Sequence, residues 1–347
     1  MIHRTEPGCQ ALSLSTALNQ ETWQQALANT IRDPRQLFEL LQLDPSALPA
    51  ALAASKDFPL RVPHSFVERM KKGDASDPLL LQVLPRGQEL DYQPGFSKDP
   101  LEEGNSNPQP GLIHKYQGRV LLVVSGACAI NCRYCFRRHF PYQDNNPSRK
   151  AWINTLRYIA DDPSIHEVIL SGGDPLAASD TLLAELTERI ADIPHVQRLR
   201  IHSRLPIVIP QRINDSCIQW MTKSRLQTIM VIHSNHANEL SPEVGERLLT
   251  LRQSGVHLLN QTVLLKGIND NSDTLCKLSE SLFRYAVLPY YLHLLDRVQG
   301  AAHFLTSDKQ AGKLVGEMTQ RLPGYLVPKL VRELPEKPAK MPVPVLF

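Results

Sequence analysis

The chain has 347 residues, a net charge of +3 at neutral pH and 21% charged positions. It is long enough to bury a large core, and so mild a charge without a long basic run argues against nucleic-acid binding. No apolar run is long enough to span a bilayer, no signal-peptide core follows Met1-Ile-His-Arg-Thr-Glu-Pro7, and six cysteines in a chain this long are not a disulfide framework, so the cytosol is the expected location and no membrane partner is expected.

From about residue 15 to 55 the chain reads as short helices. The stretch from Glu21 to Ile31 places Trp23, Ala26, Leu27 and Ile31 near one face, and Gln36-Leu-Phe-Glu-Leu-Leu-Gln-Leu43 repeats the pattern. Pro63 to Lys72 reads as a further helix. Gly73 to Pro110 is rich in Pro, Gly, Asp and Asn and reads as extended, irregular chain with few core signals, a packing collar without chemistry.

From Arg119 the pattern alternates between strand and helix. Strands are expected at 119–125, 167–171, 198–202, 228–233, 257–263 and 288–294. Helices are expected at 148–160, 180–191, 211–222, 242–253, 272–285 and 307–320. Ser241-Pro242 is a helix start, and Gly255 is a stop. Six βα units imply an α/β fold, a parallel sheet curled into a partial barrel. Residues 326–331 read as a short closing strand. Pro335, Pro338, Pro342 and Pro344 then forbid a helix. The expected division is an N-terminal extension over 1–110, the barrel over 111–325 and a tail over 326–347.

Cys128, Cys132 and Cys135 leave the end of the first barrel strand with spacing C-x3-C-x2-C, at the barrel end where chemistry is done. Closely packed thiolates hold soft metals or iron–sulfur clusters. With only three cysteines, His139 completes a Cys3His zinc alternative, and three unliganded thiols is the plainest reading. Cys9, Cys217 and Cys276 are scattered and read as ordinary reduced thiols.

Other residues stand at strand ends. In Ser171-Gly172-Gly173-Asp174 the glycines let backbone approach a ligand, and Asp174 is suited to an ammonium group. In His233-Ser-Asn-His236 a metal role and plain hydrogen bonding compete. Gln261 is a polar residue within a strand and needs a partner; Arg204 is a strand-end cation suited to a carboxylate.

The cysteine spacing, with Tyr134 beside the last cysteine, resembles the signature of radical S-adenosylmethionine (SAM) enzymes. That resemblance implies a (β/α)6 partial barrel, TIM-like in kind, with a [4Fe–4S] cluster on Cys128, Cys132 and Cys135 whose open iron binds SAM. It places Gly172, Gly173, Asp174, Arg204 and His233 on the SAM side. Much of 111–344 further resembles the lysine 2,3-aminomutase family. The stretches that carry it are His114-Lys-Tyr-Gln-Gly-Arg-Val120, Arg137-Arg-His-Phe140, Leu170-Ser-Gly-Gly-Asp174, Pro210-Gln-Arg-Ile213, Asn260 to Asp270, Pro289-Tyr-Tyr291 and Leu295-Asp296.

The second resemblance implies pyridoxal phosphate (PLP) on Lys340, with Lys115, Tyr116, Arg119 and Gln261 around it. It implies that Arg137 holds the carboxylate of L-lysine while Asp296 and Glu333 hold the distant ammonium. Two positions depart from the family pattern. Pro335-Glu-Lys-Pro-Ala339 stands where a glycine-rich run usually precedes the lysine, leaving Lys329 and Lys337 as competitors. Glu333 stands where aspartate is usual, and the chain lacks the longer tail of catabolic members. Together these resemble the branch that makes (R)-β-lysine for elongation factor P, which a separate lysyl-synthetase-like ligase attaches. An electron donor such as a flavodoxin or ferredoxin is implied. A catabolic or biosynthetic aminomutase is the alternative. A glutamate 2,3-aminomutase is disfavoured because an acidic pair repels a γ-carboxylate. A non-catalytic iron–sulfur or zinc protein is the alternative of another class.

Overall fold

The β-branched runs after residue 110 assemble in chain order into one sheet. The structure is a computed structural model in which residues 21–142, 145 and 149–347 are described. Cys9, the helical pattern from residue 15 to 20 and residue 148 of the helix expected at 148–160 lie outside the described residues. Among those described, nine strands follow one another: β1 (Leu112–Tyr116), β2 (Arg119–Ser125), β3 (Glu167–Gly172), β4 (Arg198–Ser203), β5 (Gln227–His233), β6 (His257–Val263), β7 (Leu288–His293), β8 (Lys329–Arg332) and β9 (Met341–Pro342). Strands β2 to β8 run parallel, and β1 and β9 are antiparallel edges. The sheet begins at β1 and ends at β9 without closing, so the barrel is partial.

Four helices precede the sheet: α1 (Trp23–Ala28), α2 (Pro34–Leu41), α3 (Leu48–Asp57) and α4 (His64–Val67). Parallel neighbours need crossover connections. These contain α5 (Arg149–Asp161), α6 (Asp180–Ala191), α7 (Leu205–Val208), α8 (Asp215–Thr222), α9 (Pro242–Gln253), α10 (Ser272–Arg284) and α11 (Asp308–Arg321). The caps explain several boundaries. Ser179, Asn214, Ser241, Asn271 and Ser307 each accept a backbone N–H of the first turn that follows. Gly255, at φ +93°, stops α9 as expected.

Some boundaries differ from expectation. The helix expected at 211–222 begins at Asp215, because Asn214 caps it and Pro210–Arg212 is a separate tight turn. Pro63 to Lys72 is helical only over His64–Val67. The closing strand starts at Lys329, after Pro328, which has no N–H to give the ladder. Strands β1 and β9 are too short and polar for their pattern to show. The collar, expected to carry few core residues, contributes several: Leu79, Leu80 and Val83 are fully buried, in one apolar cluster with Trp23, Phe38 and barrel residues such as Leu199 and Ile201.

The two faces of the strands set up the site. Alternate residues, Arg119 and Leu121 on β2, Arg200 and His202 on β4, Gln261 and Val263 on β6, and Tyr291 and His293 on β7, line a cavity inside the barrel. Intervening residues such as Leu199, Ile201, Leu258 and Leu292 are buried in the apolar layers outside it.

Candidate active site

After β2 the chain runs from Gly126 to Phe140 without helix or strand. The N-terminal segments fasten this loop. Asn131 N–H donates to the Arg61 carbonyl and Arg133 N–H to the Gln82 carbonyl, both at 2.9 Å. Arg133 is fully buried and forks onto Glu89 through Nε (2.8 Å) and Nη2 (2.5 Å). Cys128, Cys132 and Cys135 are free thiols on the wall of one cavity of about 600 Å³. Burial, reinforced by the neighbouring cysteines, pushes the Cys128 thiol up and that of Cys135 to about 12. Among the described residues no three Cys, His, Asp or Glu side chains come together as a single-ion site. His139 instead directs Nε2 at the Gln299 carbonyl, 3.4 Å away, so the Cys3His arrangement does not form.

Gly172 and Gly173 press against the end of β2 and the start of this loop. A Cβ on Gly172 would lie 2.6 Å from the Ser125 carbonyl oxygen, and one on Gly173 2.7 Å from that of Ala127. Gly172 also has φ +121°. Gly172 thus packs against the end of β2, and Gly173 against the start of the cysteine loop. Asp174 lines the cavity, yet its carboxylate is already engaged. It accepts from Ser203 Oγ (2.7 Å) and from the backbone N–H groups of Arg204 (2.8 Å), Leu205 (3.0 Å) and Leu176 (3.0 Å). Its evident work is to tie the ends of β3 and β4 together.

Arg204 reaches behind the cysteines. Its Nη1 contacts Cys132 Sγ (2.7 Å) and Tyr134 Oη (2.6 Å), and its Nη2 donates to Gln82 Oε1 (2.7 Å) and Glu239 Oε2 (3.0 Å). Asn235 joins the network through Gln82 and Tyr134. His233 lines the cavity at the end of β5, whereas His236 caps the next turn by accepting the Asn238 N–H.

Charged groups of both signs occupy the rest of the wall. Arg137 donates to Glu103 through Nε and Nη2, both at 2.7 Å, and its Nη1 lies 3.4 Å from Ser171 Oγ. Burial opposes the charge of Arg137, but the Glu103 carboxylate holds the guanidinium ionised beyond its ordinary strength. Glu333 accepts from Lys340 Nζ (2.5 Å) and Tyr116 Oη (3.0 Å), with Lys115 Nζ 3.6 Å away. Burial alone raises the pKa of Glu333; Lys340, helped by Lys115 and Tyr116, overcomes this and brings it down to about 2. Asp296 goes the other way, to about 7, through burial and the charge of Glu333. The two acids are thus pulled apart, one ionised and one ready to exchange a proton near neutrality. Lys340 lines the cavity, while Lys329 and Lys337 are exposed outside it.

Several cavity residues escaped the sequence reading. Arg200, held by Glu167, and His202 and His293 alternate with apolar residues on their strands, and that alternation of polar residues inside strands was the available signal. His202, His233 and His293 each carry a buried Nε2 without a partner among the described residues. Burial keeps all three neutral, aided by Arg200 at His202, Arg204 at His233 (down to about 4) and Lys340 at His293. Glu103 and Gln82 come from the collar assumed to lack chemistry, which corrects that reading; nothing in the local sequence marks them.

Comparison with known proteins agrees with this arrangement. Residues 122–213 match the model of the radical SAM superfamily. The chain is 51% identical over 326 residues to the L-lysine 2,3-aminomutase of Escherichia coli (strain K12), covering 94% of this chain and 95% of that one. It is 49% identical to the L-lysine 2,3-aminomutase of Haemophilus influenzae, covering 92% and 95%. Identity to the L-lysine 2,3-aminomutase of Clostridium subterminale is 32%, covering 92% of this chain and 77% of the relative. Similarity of this extent, together with a cysteine loop at the mouth of an open parallel barrel, shows that the chain belongs to the L-lysine 2,3-aminomutase family of radical SAM enzymes.

Proposed function

We propose that the chain moves the α-amino group of L-lysine to the β-carbon, giving β-lysine. The observation that carries this is one cavity whose wall presents three free thiols, a tail lysine, a guanidinium and a pair of acids.

The residues fit the groups that such a reaction needs. Three free thiols on one loop beside one cavity suit a cluster, which spreads its ligands over several metal atoms. Cys128, Cys132 and Cys135 would hold it, and cluster and SAM together supply the hydrogen-abstracting radical. Lys340 would hold PLP, which supplies a conjugated ring for the migrating nitrogen. The cations Arg119, Arg200 and Lys115 face the same space and suit a phosphate, and the three unpartnered imidazole Nε2 atoms await polar groups. Gly172, Gly173, Asp174, Arg204 and His233 serve the SAM side: the first four by fixing the cysteine loop, His233 by a free Nε2.

The chain's own contribution is placement. Arg137 grips the substrate carboxylate, and Asp296 with Glu333 grips the distant ammonium. Glu333 already holds an ammonium, that of Lys340, which supports this role. A second ammonium beside Asp296 favours its ionised form, so the carboxyl releases its proton to solvent and becomes the counter-ion. Clamping both ends fixes which carbon faces the radical.

The finer reading is (R)-β-lysine for elongation factor P, supported by glutamate at 333. An electron donor such as a flavodoxin or ferredoxin, a cytosolic location and the division at residues 110 and 325 belong to the same proposal. No described helix is long and apolar enough to cross a membrane. The test is anaerobic: protein loaded with iron, sulfide, PLP and SAM is incubated with reductant and L-lysine, and β-lysine is resolved by chiral chromatography. Formation of (R)-β-lysine, abolished in Cys132→Ala, supports the reading. The other enantiomer favours a catabolic or biosynthetic aminomutase. SAM cleavage with unchanged lysine refutes the substrate, and a loaded cluster with neither reaction favours a non-catalytic role.

A further inference from the structure

We propose that Glu103, contributed by the N-terminal collar, is a positioning residue for Arg137 and sets how tightly and in what orientation the substrate carboxylate is held. The inference rests on the carboxylate grip assigned to Arg137 above.

A guanidinium is a planar fork with two edges that can each take a carboxylate. Glu103 occupies the Nε/Nη2 edge with two bonds of 2.7 Å. On the other edge, Nη1 with the remaining Nη2 hydrogen, the one hydrogen bond among the described residues is from Nη1 to Ser171 Oγ, at 3.4 Å. Both residues are nearly buried, at 5% and 9% exposure, and both line the cavity. Phe136 and Phe140 pack on the guanidinium at 4.8 and 5.8 Å, so its plane is held as well as its edge. Glu103 is itself fixed. Its N–H donates to Asp99 Oδ1 at 3.3 Å, and the residue before it, Glu102, has the left-handed backbone φ of +49°. A non-glycine residue in that conformation is costly unless the surroundings impose it. Glu103 thus hands Arg137 to the cavity with one edge free and its charge already balanced.

Removing that carboxylate has two opposed effects on binding. The unbalanced, buried Arg137 attracts a carboxylate more strongly, while the free edge is no longer aimed. Turnover feels only the second, because misplacing a substrate costs rate even where it does not cost affinity. The signature is a split: in Glu103→Gln, kcat for L-lysine falls about tenfold while KM does not rise. Glu103→Asp keeps the charge, withdraws it by one methylene and falls between wild type and Glu103→Gln. In an Arg137→Lys background, which has no fork to aim, Glu103→Gln costs little further rate.

The experiment measures kcat and KM for L-lysine and L-lysinamide in wild type, both Glu103 variants, Arg137→Lys and the double variant, with iron content as the control. The split, and non-additivity in the double variant, are the expected results. Wild type that prefers lysine to its amide while Glu103→Gln or Glu103→Asp keeps full kcat overturns this inference alone. A raised KM at unchanged kcat, or full additivity with Arg137→Lys, also overturns it. Wild type that uses lysine and its amide equally overturns the carboxylate grip, and this inference with it.

Discussion

The tail that carries Lys340 is held against α11 by the absence of two side chains. A Cβ on Gly316 would lie 1.9 Å from the Leu346 carbonyl oxygen, and one on Gly312 2.5 Å from that of Pro344. The helix cannot retreat, because Val315 and Met318 on it are buried in the core. In Gly316→Ala the tail must therefore move by more than about 1 Å to restore ordinary contact. That breaks the bond from Leu346 N–H to the Gly312 carbonyl, 3.0 Å long, and loosens the packing of Leu346. The hydrogen bond contributes about 1 kcal/mol and the covered part of the Leu346 side chain, which is 38% exposed, about as much again. Strand β9 has only two residues, so it resists little on its own. A loss of about 2 kcal/mol raises the detached population of the tail by roughly thirtyfold. Limited proteolysis of the iron-loaded variant should cleave the tail roughly thirtyfold faster than in wild type, with iron content unchanged. Tail cleavage within about twofold of wild type, or a loss of iron, would refute the reasoning.

Three other outcomes follow from the same geometry. In Asp174→Asn the amide oxygen can keep the Arg204 and Leu205 N–H bonds and its nitrogen can donate to the Ser203 hydroxyl, but the Leu176 N–H then faces a donor, so one buried bond to a carboxylate is lost; urea unfolding should show a loss of about 1.5–3 kcal/mol, and an unchanged midpoint would contradict the tie between β3 and β4. Gly173→Ala should lower iron loading after reconstitution while leaving PLP affinity intact, since its Cβ strikes Gly126 and Ala127 of the cysteine loop. Glu333 has a folded pKa of about 2 against 4.5 unperturbed, so it contributes about 3 kcal/mol above pH 4.5 that is lost as pH falls from there toward 2. In Lys340→Ala the nearest cation is gone, the shift shrinks, and acid unfolding should begin at higher pH; an identical acid transition would show that the pair adds no stability.

The barrel was legible because its strands are β-branched runs between capped helices, as in 119–125 or Ser241-Pro242. Cys128, Cys132 and Cys135 were legible because spacing alone carries their chemistry, and Lys340 only through resemblance, since nothing in Pro335-Glu-Lys-Pro-Ala339 separates it from an exposed tail lysine. Its place in the cavity comes from folding: β8 and β9 pair at the edge and swing the tail inward. Glu103 and Gln82 were illegible for a related reason. They act across long sequence separations, on Arg137 and Arg204, and a segment rich in Pro and Gly gives no period from which to read an inward face.

The central claim is that this tail delivers Lys340 to a cavity shared with the cysteine loop. Incubating the protein with PLP, reducing it with borohydride and mapping the modified peptide by mass spectrometry tests that claim directly. The label is predicted on Lys340, from which it disappears in Lys340→Ala without moving elsewhere. A label on Lys115, which shares the cavity, or on exposed Lys329 or Lys337, would contradict the account.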